Sequence, residues 1–148
     1  MHILRTDSSH QDFIDLVGLL DADLAVRDGD DHAFYDQFNS IENLKQALVL
    51  YHNNTAVGCG AMKPFEVDRI EIKRMYTLPN HRGKGYATKI LAELESWARE
   101  LGYTKCVLET GMRQPEAIQL YIKNGYERIP NYGQYKNIDN SLCFEKAI

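Results

Sequence analysis

Apolar positions change period several times along this 148-residue chain, and each change marks a predicted element. Residues 2–6 read as a short strand. Asp7, Ser8 and Ser9 then offer side chains suited to helix caps, and Phe13, Leu16, Val17, Leu20 and Leu24 recur at helical spacing, which predicts an amphipathic first helix. Residues 41–47 predict a short helix, and strands at 48–52 and 55–62 flank Asn53 and Asn54 as a hairpin. Residues 67–77 predict a further strand whose alternation slips: Ile70 and Ile72 share one face, whereas Met75 falls on the opposite parity. One inserted residue, a β-bulge near Lys73 or Arg74, restores the register, and such bulges re-aim backbone groups beside active sites.

Ala87, Ile90, Leu91, Leu94, Ala98 and Leu101 predict a helix over residues 85–101, closed by Gly102 where a left-handed cap belongs. Residues 104–109 form a short strand pattern, and residues 115–124 a short helix with Pro115 in its first turn and Gly125 just past its end. The irregular stretch 131–135 precedes a final strand at 141–146. Strand, helix and strand alternate in the second half, which implies parallel neighbours joined by a right-handed crossover, while the hairpin before them is antiparallel. The expected fold is therefore a mixed α/β sheet in a single domain over residues 1–148, since no repeat, linker or low-complexity stretch divides the chain.

Composition narrows the functional classes. Hydrophobic residues at 44% and charged residues at 26% fit a folded globular domain and exclude disordered and fibrous classes. Apolar runs fall short of the ~18 residues of a membrane span, and residues 1–10 lack the regions of a signal peptide, so no membrane association is expected and cytoplasmic residence is. A net charge of −4 argues against nucleic-acid binding. Cys59, Cys106 and Cys143 stand far apart inside apolar stretches and read as buried free thiols. His2, His10, His32, His52 and His81 show neither metal-ligand spacing nor a nucleophile motif, so neither a metal nor a covalent intermediate is expected.

The segment with most chemical content is Arg82-Gly83-Lys84-Gly85-Tyr86-Ala87, set between a predicted strand and a strongly periodic helix. Glycines admit close backbone approach, the helix start presents unpaired N–H groups, and Arg82 and Lys84 add positive charge, a combination suited to a pyrophosphate. The stretch fails GxxxxGK[ST], because no second glycine precedes Lys84 at the needed spacing, and it fails GxGxxG at Thr88. ATP and NAD are thereby demoted. By itself the loop is equally an ordinary tight turn.

Residues 82–87 match every defined position of [RQ]xxGx[GA], and in this the sequence resembles the GNAT superfamily of acyl-CoA-dependent N-acetyltransferases. Residues 117–126 extend the likeness, with Tyr121 four residues before the pair Gly125-Tyr126, so the matching region covers about residues 66–127. The resemblance implies a mostly antiparallel sheet whose central parallel strand pair splays apart, with flanking helices. It also implies that the pantetheine arm of acetyl-CoA inserts there, lined by Met75, Tyr76 and Thr77, with the pyrophosphate on Arg82, Gly83, Lys84, Gly85, Tyr86 and Ala87. Thr88 offers a hydroxyl to a phosphate oxygen, and Gln114 stands where the family often has a cofactor-contacting asparagine.

Tyr121 matches the family position that protonates the departing thiolate; on periodicity alone it packs beside Ala117 and Ile118. Glu71, eleven residues before Arg82, matches a general-base position of several family members, with Glu109 in reserve, and its alternative is a strand carboxylate paired with Lys73 or Arg69. Water is the third possible base. Residues 21–36 carry six aspartates against Arg27, and they either attract a small cationic amine acceptor or simply form a solvated face. Tyr132 and Tyr135 form an opposite wall of the pocket or anchor their loop. The implied activity is N-acetyl transfer to a primary amine by direct attack, with a homodimer as the family-like assembly; the alternative is a non-catalytic acyl-CoA sensor.

Overall fold

The structure, a computed structural model, describes residues 1–29 and 43–148. In chain order the described elements are β1 (His2–Thr6), α1 (Gln11–Asp28), β2 (Gln46–His52), β3 (Thr55–Pro64), β4 (Arg69–Thr77), α2 (Tyr86–Glu100), β5 (Lys105–Gly111), α3 (Pro115–Lys123), β6 (Glu127–Ile129) and β7 (Ser141–Ala147). Single 3-10 turns at Pro79–His81 and Gly133–Tyr135 complete them. Among the described residues the strands make one seven-stranded sheet in the order β1-β2-β3-β4-β5-β7-β6. Only β4 and β5 run parallel; every other neighbouring pair is antiparallel.

Strand alternation divides the core between the two faces. Leu48, Leu50, Met62, Ile70 and Ile72 pack with Ile90, Leu91 and Leu94 of α2. On the other face Ala47, Val49, Cys59 and Ala61 meet Phe13, Leu16, Val17 and Leu20 of α1. A smaller cluster on Val107 and Cys143 takes in Tyr132 and Tyr135. All three cysteines are buried and unbridged, and burial pushes the Cys59 thiol up to about 12, which keeps it an inert core group.

The predicted elements need three corrections. Residues 41–47 do not form a helix where they are described: residues 43–45 are irregular, and Gln46 and Ala47 open β2. Ala47, with no exposed surface, pairs with Thr6 on one side and Ala61 on the other, so the strand ladder overrides its helix propensity. Positions 41 and 42 lie outside the described residues. His10, not Asp7, Ser8 or Ser9, caps α1, accepting from Asp12 N at 3.2 Å, while Asp7 accepts from Ser9 N in a local turn. The edge strand β6 had no predicted counterpart.

The slipped alternation in β4 is a bulge. Cys59 faces Tyr76 and Ala61 faces Lys73, so Gly60 opposes both Arg74 and Met75. Arg74 takes the left-handed conformation, φ 61°, and its carbonyl accepts from Cys59 Sγ at 3.3 Å. Gly60 makes room for this: a Cβ there would lie 2.7 Å from Met75 Sδ and 2.8 Å from Ile90 Cγ2. Gly60→Ala is therefore expected to destabilise the domain by about 1–3 kcal/mol in urea unfolding, whereas an unchanged midpoint would show that the bulge yields freely.

Candidate active site

Parallel pairing of β4 with β5 covers only Arg69↔Lys105, Ile70↔Cys106 and Glu71↔Val107. Beyond those residues the two strands part, and the rest of β4 faces a cleft in place of a neighbour. The bulge lies inside that separated stretch and sends Met75 toward the α2 face and Tyr76 toward the α1 face. A cleft of about 500 Å³ opens beside it, lined by Met75, Tyr76 and Thr77 on one side and by Gln114, Ala117 and Tyr121 on the other.

Its outer end is the glycine-rich loop. Gly83 and Gly85 hold φ of 75° and 81°, and a Cβ on either meets no protein atom within 4 Å, so both face open space. Gly85 caps α2, and the first helical bond runs from Lys89 N to Gly85 O at 3.1 Å. The preceding helical N–H groups, those of Tyr86, Ala87 and Thr88, have no carbonyl four residues back within the helix and give the cleft a partial positive charge. Arg82 donates from Nε to Thr77 O at 2.9 Å, with its guanidinium 5.5 Å from the Tyr76 ring. These contacts fasten the loop to the end of β4.

The structure gathers Met75, Tyr76, Thr77, Arg82, Gly83, Gly85, Tyr86, Ala87, Thr88 and Gln114 around the one cleft. Lys84 is exposed and does not line it, since its flexible stem points to solvent. Tyr86 contributes mainly backbone, because its ring is buried beside His52 and His81, at 5.8 Å and 6.4 Å between centroids. Thr88 Oγ1 accepts from Asn124 Nδ2 at 3.3 Å, which ties α2 to the end of α3 and leaves the hydroxyl proton to give.

A smaller pocket of about 100 Å³ adjoins the cleft at the point where the strands part. Glu71, Lys73, Arg74, Glu109, Tyr121 and Tyr135 all reach it. Tyr121, 6% exposed, packs its ring 5.8 Å from Tyr126 and 6.3 Å from Phe144, and burial, with a smaller push from the Glu109 carboxylate, holds its phenol above the ordinary range. It therefore carries its proton at any working pH. The packing role and a chemical role for Tyr121 are compatible, because the ring fills the core while the side chain reaches both cavities.

Glu71 is 7% exposed and accepts from Tyr132 Oη at 2.6 Å, with Lys73 Nζ 3.9 Å away. The alternative pairing with Lys73 is therefore present, but the carboxylate is buried, and Arg69 pairs instead with Glu145 at 3.1 Å. Tyr132 stands behind Glu71 and outside the pocket lining, whereas Tyr135 forms part of the wall. Two aspartates of the acidic segment are paired with arginines: Asp21 with Arg74 at 2.8 Å, and Asp23 with Arg27 at 3.2 Å. Its aspartates at 30, 31 and 36 lie outside the described residues. Arg74 is a pocket residue that motif spacing passed over; its signal was the bulge, at which both Lys73 and Arg74 come to line the same pocket.

Among the described residues no group of three or more His, Cys, Asp or Glu could hold a metal ion, and no helix is long and apolar enough to cross a membrane. Residues 14–126 match the model of the Acetyltransferase (GNAT) family. The chain is 36% identical over 102 residues to the IAA acetyltransferase of Azospirillum brasilense, covering 68% of this chain and 67% of that protein. It is 40% identical over 84 residues to the uncharacterized N-acetyltransferase YjgM of Escherichia coli, 55% of this chain and 50% of that one. The matches thus span between half and about two thirds of these relatives. A crystal structure of a Klebsiella pneumoniae protein assigned as an acyl-CoA N-acyltransferase superposes with a TM-score of 0.82 at 32% identity, covering 99% and 96% of the two chains. The PaiA N-acetyltransferase of Thermoplasma acidophilum, solved in complex with coenzyme A, shares the fold at a TM-score of 0.73 and 16% identity, over 99% of this chain and 98% of that one.

Proposed function

The chain belongs to the acetyltransferase (GNAT) family, and from that membership we propose that it moves an acetyl group from acetyl-CoA to a primary amine by direct attack in a ternary complex. The observation that carries this reading is the parting of β4 from β5 beyond Glu71 and Val107, directly beside a glycine loop that opens α2. The cleft fits the cosubstrate. N–H groups at the start of α2, with Gly83 and Gly85 leaving space for close approach, suit a pyrophosphate, and the unpaired edge of β4 at Met75, Tyr76 and Thr77 suits the amides of a pantetheine arm.

Within that complex an amine of ordinary pKa, ~10.4, arrives protonated and must lose a proton before it attacks. Glu71 takes the proton, held in place by Tyr132. Backbone N–H groups freed by the bulge stabilise the thioester oxygen as charge develops. Tyr121 donates its proton to the sulfur as the carbon–sulfur bond breaks, and the second proton shed by the acylated nitrogen restores the phenol. Most of the acceleration comes from holding the two reactants together in the cleft.

The first test is a calorimetric titration with acetyl-CoA, with ATP and dephospho-CoA as controls. Micromolar binding of acetyl-CoA, followed by thiol release with members of an amine panel, is the expected result, and no binding would remove the basis of the proposal. Glu71→Gln is expected to lower kcat about 10²-fold or more at neutral pH and progressively less toward the amine pKa, where free amine no longer needs a base. A pH–rate profile of unchanged height and shape would transfer the role to Glu109 or water.

A further inference from the structure

The Arg74 side chain is 2% exposed, and its Nη1 donates to Asp21 Oδ1 at 2.8 Å. Its remaining nitrogens, Nε and Nη2, are buried with no hydrogen-bond partner among the described residues. These two form one edge of the planar guanidinium, the edge whose parallel N–H groups match the two oxygens of a carboxylate. Donors left unpaired on a buried charge are costly and rare, so each calls for a partner that the protein alone does not supply, an ordered water or a bound ligand. Arg74 is among the residues that line the small pocket shared by Glu71 and Glu109, with its two unpaired nitrogens buried at that wall. One pocket thus combines carboxylates suited to an amine with a guanidinium edge suited to an anion.

We propose that Arg74 binds a carboxylate of the acceptor, so that the acceptor is a free amino acid, with its amine turned toward Glu71 and the cleft. The pocket, at about 100 Å³, admits a small zwitterionic head rather than a folded chain. Both nitrogens are sealed from water as the pocket stands, so its lining side chains shift as the carboxylate enters. The amine half of this assignment rests on the acetyl-transfer reading, whereas the carboxylate half rests on Arg74 alone.

Two measurements on the full chain separate those halves. With the protein saturated in CoA, a calorimetric panel of N-acetyl amino acids is compared with the matching N-acetyl amino amides. The best acid is expected to bind about 10- to 100-fold more tightly than its amide, the range for a lost charge-assisted pair. Arg74→Met removes that difference, and Arg74→Lys, which keeps a cation beside Asp21 without the fork, recovers only part of it. Equal binding of acid and amide by the wild type, binding by neither, or a preference that survives Arg74→Met overturns the proposal. The wild-type and Arg74→Lys comparisons still decide if Arg74→Met fails to fold. In the second measurement free amino acids and their amides are acetyl acceptors, read by thiol release. Amides accepted as fast as acids overturn the carboxylate site and leave acetyl transfer standing. Acid-selective binding without thiol release from any amine defeats acetyl transfer and supports the fork.

Discussion

Gly85→Val is expected to weaken acetyl-CoA binding by about 100-fold or more, the loss of two or more charge-assisted hydrogen bonds, while the domain still folds. Gly85 sits at φ 81°, ψ 10°, and caps α2 from the left-handed region. A β-branched residue strains that backbone by about 1–3 kcal/mol. Packing is not disturbed, because a Cβ at this position has no protein atom within 4 Å. Gly85 lines the cleft beside the Tyr86, Ala87 and Thr88 N–H groups, so on the proposed reading the valine side chain competes for the volume a phosphate needs. Gly102→Val is the control. Gly102 has a φ of 95°, with equally open surroundings, but lies past the far end of α2. It shares the backbone strain without the cleft. Calorimetry with acetyl-CoA and thermal unfolding of both variants separate the effects: comparable losses of stability, with affinity lost only at Gly85. Intact affinity in a folded Gly85→Val protein would mean that the loop is a turn and that the cosubstrate binds elsewhere.

The features legible in the sequence were those written in local spacing. The parity slip between Ile72 and Met75 is a property of a few consecutive residues, and it located the bulge to within one position of Arg74. The periodic run from Ala87 to Ala98 and its flanking glycines fixed α2 for the same reason. Where long-range pairing decides, local pattern misled. Ala47 belongs to a helix-like stretch by propensity, but its neighbours in space are Thr6 and Ala61. β6, three residues at a sheet edge, is too short to show alternation, and only its pairing with β7 defines it. The candidate site divides in the same way. The family resemblance singled out Tyr121 and Glu71, yet the hydrogen-bond partner of Glu71 is Tyr132, 61 residues along the chain. Arg74 stands at the bulge that the parity slip marks, but its two unpaired nitrogens depend on Asp21, 53 residues earlier, which satisfies a third.

Tyr121→Phe is expected to lower kcat by about 10²- to 10⁴-fold, the range for a positioned acid, and to leave the acetyl-CoA dissociation constant within about threefold. The substitution removes one oxygen and keeps the ring that packs against Tyr126 and Phe144, so the fold has little to lose. Burial holds the Tyr121 phenol above its ordinary pKa of 10.0, whereas a thiol near ~8.5 is the stronger acid. Complete transfer of the proton is thus uphill by at least about 1.5 pKa units, about 2 kcal/mol. That penalty is small beside the gain from a strong hydrogen bond to the sulfur at the moment it acquires charge in a site with little water. The raised pKa has a second consequence: Tyr121 does not lose its proton through the alkaline range in which the amine becomes free base, so wild-type kcat holds up to about pH 10, near the ordinary phenol value. A fall in wild-type kcat between pH 8 and 9 that Tyr121→Phe does not show would require a Tyr121 that ionises early, contrary to its burial. A Tyr121→Phe protein with full turnover would remove the phenol from the chemistry and leave the ring as core.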